Sequence, residues 1–171
     1  MPFEDYVHRN ILWPLGMDES SLLIRDIDRS TLASPHRKND KGELYVTDVY
    51  PYNRAHGPSS TLTSNIEEMA IYLRMYLNEG MHNKRVMLKP KTIQDMWSPA
   101  LGKFSNIGVC WHLSESHGKK IVAHGGSDVG FKSYILLIPE MDTAAVFMTN
   151  STTPPYREFA ARIIEIITEN Q

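Results

Sequence analysis

Apolar residues at positions 3, 7, 11 and 12 recur at helical spacing, which predicts a short amphipathic helix over Phe3 to Leu12 with Pro14-Leu15-Gly16 as its stop. From Asp18 to Pro58 the periodicity is lost among Asp, Ser, Pro, Asn and Lys. Only Leu44-Tyr45-Val46 reads as a strand fragment, so this stretch is expected to be a long excursion that packs over something as a lid or pocket wall. Ser64-Asn65-Ile66-Glu67 has the form of a capping box and predicts a helix starting at Asn65. Its apolar stripe is Ile66, Met69, Ala70, Leu73, Tyr76 and Leu77, and Asn78-Glu79-Gly80 stops it. Pro90, Thr92, Ile93, Met96 and Trp97 predict a second short helix closed by Ser98-Pro99.

The period then changes. Ile107 to Leu113, Lys119 to Ala123, Phe131 to Ile138 and Thr143 to Thr149 are short runs rich in β-branched and aromatic residues between turn residues, and four consecutive antiparallel strands are the economical reading. Thr153-Pro154-Pro155 opens a last helix with Phe159, Ala160, Ile163, Ile164 and Ile167 on one side. The fold class expected is α+β, an antiparallel β-sheet with flanking helices, over a single domain spanning 1–171.

Composition narrows the possible functions. With 18 Lys+Arg against 20 Asp+Glu and no basic run, nothing is set out to neutralise a phosphate backbone, so no nucleic-acid partner is expected. No apolar stretch approaches the roughly 20 residues that span a bilayer, and Met1-Pro2-Phe3-Glu4-Asp5 carries neither the basic nor the apolar part of a secretory signal. The single cysteine, Cys110, cannot form a disulfide within the chain. None of the seven histidines forms an H-x-x-x-H pair, and neither a metal nor any other cofactor is expected.

Among residues that could carry chemistry, His124-Gly125-Gly126 closes the second expected strand and Ser127-Asp128-Val129-Gly130 follows it. Adjacent glycines let another group approach the backbone, a backbone N–H there could face a carbonyl oxygen, and His124 could donate to a substrate anion. A glycine-rich hairpin turn with a surface histidine fits the same letters. Serine chemistry needs a hydroxyl held beside a base or lysine. The one S-x-x-K match, Ser116-His117-Gly118-Lys119, is about what chance supplies, and it sits at an expected strand-to-strand turn instead of a helix start. Tyr52-Asn53 reads as part of an aromatic loop packing over a core.

The order of segments carries more than any one of them. Ile11-Leu12-Trp13-Pro14-Leu15-Gly16-Met17 is followed by Ala55-His56-Gly57-Pro58-Ser59-Ser60-Thr61-Leu62-Thr63-Ser64 ahead of the Glu67-Glu68-Met69-Ala70 helix. His124-Gly125-Gly126 then precedes Gly130-Phe131-Lys132-Ser133, and Pro139-Glu140 precedes Met148-Thr149-Asn150. This resembles the serine β-lactamase and penicillin-binding-protein-like superfamily, in its class C β-lactamase, esterase and D-aminopeptidase branch. The resemblance implies a serine acyl-transfer hydrolase for a small-molecule amide or ester, with His124, Gly125 and Gly126 as the substrate-binding third motif. It also implies that the backbone N–H of Ser127 forms half of the oxyanion hole.

In that superfamily S-x-x-K and Y-x-N both precede the P-L-G-M segment, and neither does so here; Tyr52-Asn53 lies on its other side. The expectation is therefore the C-terminal part of such a hydrolase, inactive alone. The alternative is a non-enzymatic truncated family member that serves as a ligand-binding or assembly module. An uncovered apolar layer and an unpaired sheet edge are expected to drive self-association or capture of an N-terminal complementary segment.

Overall fold

The computed structural model describes residues 1–100 and 104–169. In chain order they form α1 (Phe3–Val7), a π-helical turn (His8–Leu12), α2 (Trp13–Leu15), β1 (His36–Lys38), β2 (Leu44–Val46), α3 (Gly57–Ser60), α4 (Ile66–Leu77), β3 (Met81–His82), β4 (Arg85–Val86), α5 (Pro90–Met96), β5 (His112–Ser116), β6 (Lys119–Asp128), β7 (Phe131–Ile138), β8 (Thr143–Thr149) and α6 (Tyr156–Glu169), with single 3-10 turns between some of them. The sheet order β5-β6-β7-β8 is a meander, accompanied by two small hairpins, β1-β2 and β3-β4. The α+β class and the count of four consecutive strands follow the sequence pattern, but the first strand lies at His112–Ser116 and not at Ile107 to Leu113. The chain divides into two compact units, one of Met1–Ile71, Gly126–Ser133 and Met148–Pro154, the other of Tyr72–Gly125, Tyr134–Phe147 and Pro155–Gln171.

In the first unit, helical backbone runs on through Pro14, which the sequence reading takes as part of the stop. Proline falls at the start of α2, where no N–H is required, and the preceding turn is π-helical. Gly16 ends the run in the left-handed region (φ 73°), its N–H bonded to the Trp13 carbonyl and that of Met17 to the Leu12 carbonyl. Leu12, Leu15 and Met17 are buried there. The long excursion is more ordered than its composition suggests. β1 and β2 form a hairpin with His36 opposite Val46, and the His36 N–H bonds the Asn150 carbonyl just past β8 at 2.9 Å.

The cap of α4 sits one residue later than the capping-box pattern places it. Asn65 Oδ1 accepts from the Glu68 N–H, while Ser64 Oγ is taken by Ser20 Oγ at 2.6 Å. Glu68 does not reach back to the cap either. Its buried carboxylate accepts from Ser20 Oγ at 2.5 Å and from the Glu19 N–H at 2.8 Å. That competition rotates the buried stripe, so Ile66 and Ala70, expected to face inward, are exposed.

In the second unit, α4 buries Leu73, Met75 and Tyr76, and the chain turns beyond its end at Gly80 (φ 84°), where a Cβ would lie 2.1 Å from the Leu88 carbonyl oxygen. Tyr76 stacks on Trp97 and meets Trp111 edge-on. The main core is the sheet face formed by Ile121, Ala123, Leu136 and Ile138 against Ala160, Ile164 and Ile167 of α6. By strand alternation Val122 and Leu137 point the other way and are also fully buried, so the sheet is covered on both faces. On that second face Lys120 Nζ donates to the Trp97 carbonyl at 2.6 Å.

Candidate functional site

The type of turn that joins β5 to β6 sets the register that builds the site. His117 and Gly118 both have positive φ (49° and 72°), as a two-residue hairpin of the primed type requires. Ser116 therefore pairs with Lys119, and the ladder continues to His112 opposite Ala123. The lone S-x-x-K match is thus spent on a hairpin. Ser116 Oγ lies 3.2 Å from His117 Nδ1, which also contacts Thr168 Oγ1 at 2.9 Å. That arrangement ties the turn to α6 and leaves the serine without a lysine on a helical face.

β6 does not end at Ala123, where the sequence pattern places its end. It continues through His124, Gly125, Gly126 and Ser127 to Asp128, and the turn is reduced to Val129-Gly130. The hairpin-turn reading of the two glycines is overturned, because both are strand residues. The physical reason lies on their neighbours: β7 runs alongside, and a Cβ on Gly126 would already sit 3.3 Å from Ser133 Oγ. β5, by contrast, starts at His112, so the five residues from His124 to Asp128 run past the last β5 pair.

His124 is exposed, and its ring stacks on that of His112 with centroids 5.8 Å apart and planes 17° apart. Partial desolvation on the inner side of the ring, and secondarily the adjacent His112, hold the His124 pKa below the ordinary histidine value. The lowered pKa leaves the imidazole mostly neutral near pH 7. The partnership with His112 was missed in the sequence. The signal was there in the His117-Gly118 turn, whose register brings position 112 beside 123. In the first unit Gly126 and Ser127 are both exposed.

At the turn itself, Gly130 (φ 74°) is pressed against the excursion, and a Cβ would lie 2.3 Å from Pro35 Cβ. Phe131 takes the edge of the Tyr50 ring at 5.7 Å. Tyr50 and Tyr52 are half-buried, as expected of an aromatic loop, and Asn53 Oδ1 caps the next turn by accepting from the Ala55 N–H. Burial raises the Tyr50 pKa above the ordinary phenol value. These two tyrosines, with Ile24, Arg29, Leu32 and Pro35, line an open cavity of about 440 Å³. All of these residues come from the Asp18 to Pro58 excursion, and nothing in the sequence marks Arg29 as one of them.

Among the described residues no group of three or more His, Cys, Asp and Glu is placed to hold a metal ion, and no helix is long and apolar enough to cross a membrane. A solved structure titled as the octameric penicillin-binding protein homologue from Pyrococcus abyssi superposes with a TM-score of 0.77 at 22% identity, covering 98% of this chain. This chain spans 38% of that protein's length, and at that identity the likeness establishes the fold. No curated protein sequence matches the chain. The beta-lactamase family model matches residues 1–169, the stretch that contains the P-L-G-M segment, the glycine strand and every wall of the cavity. By that match the chain belongs to the beta-lactamase family.

Proposed function

We propose that this chain supplies the substrate-facing strand of a serine acyl-transfer hydrolase acting on an amide or ester carbonyl. The observation that carries the reading is the continuation of β6 past the last β5 pair. A two-residue connection at Val129-Gly130 sets Asp128 opposite Phe131, and ladder alternation then aims the Ser127 N–H away from β7, toward the edge that β5 leaves open. A backbone donor fixed in a strand is pre-aligned for the oxygen of a tetrahedral intermediate and needs no reorganisation during the reaction. Gly125 and Gly126 keep side-chain bulk off the path of the substrate, and His124, neutral, orients a polar substituent.

The attacking serine and its lysine are not supplied by the S-x-x-K match at Ser116, so in this reading the nucleophile comes from a separate segment and the 171 residues alone are without hydrolase activity. Intact mass after incubation with a fluorophosphonate, and separately with a penicillin, tests this. No adduct is expected on the folded chain, and a stoichiometric adduct would overturn the assignment of the nucleophile elsewhere. With the nucleophile supplied on a second segment, Ser127→Ala keeps the N–H and leaves acylation near its starting rate. Ser127→Pro removes the donor and is expected to slow acylation by about 100-fold. Equal rates for the two variants would sink the oxyanion role.

A second reading, an assembly module, is favoured by a separate observation. Trp13, Tyr6 and Phe3 in the first unit and Phe159 and Ile166 in the second are exposed, Trp13 by 67%. Apolar side chains of that size are candidates for a self-association surface or for a complementary segment.

A further inference from the structure

We propose that the cavity walled by Arg29, Ile24, Leu32, Pro35, Tyr50 and Tyr52 binds a carboxylate carried on an apolar body, and that it selects substrates bearing such a substituent; the second half of this inference rests on the acyl-transfer reading. The cavity holds about 440 Å³, within the range that takes a small organic ligand. Apart from Ser34 its lining is apolar and aromatic with a single charge, Arg29, and no Asp or Glu contributes to the wall.

Arg29 has no ion-pair partner among the described residues. The carboxylate next to it in sequence is already committed, since Asp28 Oδ1 accepts from both the Ser30 N–H and Ser30 Oγ, bonds that hold its pKa below the usual carboxylate range. A guanidinium presents two parallel N–H donors that match a carboxylate, and the cavity lining holds no second cation to balance a phosphate dianion. The rest of the ligand would lie against Leu32 and the tyrosine rings.

Position ties the cavity to the strand. Pro35 is wedged against Gly130 and Tyr50 against Phe131, and Gly130 lies three residues beyond Ser127, about 10 Å of chain. A substrate held at the Ser127 N–H can therefore reach the cavity with a substituent about 10 Å long. The Pro35–Gly130 contact fixes the wall to the strand, so the distance is set by packing and not by a loose loop.

The test uses the chain as it stands, with 4-phenylbutyrate and its neutral amide as probes and the tyrosine ring resonances as the readout. The acid is expected to shift the Tyr50 and Tyr52 resonances saturably and to bind about tenfold more tightly than the amide, and Arg29→Gln should bring the acid down to the affinity of the amide. Equal affinity of acid and amide, no effect of Arg29→Gln, or shifts confined to other tyrosines would each overturn the inference. Ser127→Pro separates the two readings, because it should leave probe binding unchanged. Loss of carboxylate selectivity with the acylation defect of Ser127→Pro intact removes the cavity and keeps acyl transfer. Selective probe binding with no such defect keeps the carboxylate site and removes its role toward a hydrolysed substrate.

Discussion

His124 combines three local facts: a strand position past the end of β5, a stacked neighbour in His112, and partial loss of water around the ring. Its pKa in the folded chain lies below the ordinary value of 6.5. The unfolded chain therefore takes up the proton first as the pH falls, and the folded state loses stability as the pH drops through about 6.5 and on through the depressed folded value. Above that window both forms are neutral and His124 adds no pH dependence. His112→Asn removes the lesser of the two causes and should move the His124 pKa part of the way back up, read from the imidazole proton shifts against pH. A value that stays put would mean that His112 is a bystander. At this scale the glycine neighbours single out His124 as the candidate but cannot show its partner, because His112 and His124 meet only through the register that the His117-Gly118 turn between them imposes. Arg29 was invisible for a similar reason, since it becomes a cavity wall only once Pro35 is pinned on Gly130.

Elements bounded by turn residues or a proline were legible almost residue for residue: β7 and β8 have the bounds expected, and α5 begins at Pro90. Those set by competition among polar groups were not. At the start of α4 both Ser64 and Asn65 can cap, and the buried Glu68 decides between them by recruiting Ser20, which holds Ser64 away. Asn65→Ala should accordingly cost about 1 kcal/mol in urea unfolding. Asn65→Asp keeps the cap to the Glu68 N–H but exchanges the amide donor to Glu19 Oε2 for a second carboxylate, and should recover only part of that loss. A silent Asn65→Ala would return the cap to Ser64. In the excursion from Asp18 to Pro58, β2 was legible as Leu44-Tyr45-Val46, whereas β1 was not, because its three residues, His36–Lys38, are all polar and no alternation marks them.

For the whole molecule, the sequence pointed to the right family and class because the order of the P-L-G-M, Ala55 to Ser64, His124-Gly125-Gly126 and Met148-Thr149-Asn150 segments survives where single motifs do not. The uncovered apolar layer expected on the strands and last helix is not there, since Ile167 packs in the core and the sheet is covered on both faces; large exposed side chains are present singly in both units. The self-association we propose predicts a concentration-dependent sedimentation coefficient across the micromolar range, and Trp13→Ser with Tyr6→Ser should shift the equilibrium toward the monomer without altering the far-ultraviolet dichroism. A single unchanging monomer peak at high concentration would exclude self-association through this surface.

The placement of the three tryptophans has an optical consequence. Trp13, mostly in water, lies in the first unit, whereas Trp97 and Trp111 lie buried in the second, both packed on Tyr76. Emission from the first should be red-shifted and quenched by acrylamide, and emission from the other two blue-shifted and protected. One fluorescence spectrum, split by a quencher, therefore reports on the two halves of the chain separately, without any label.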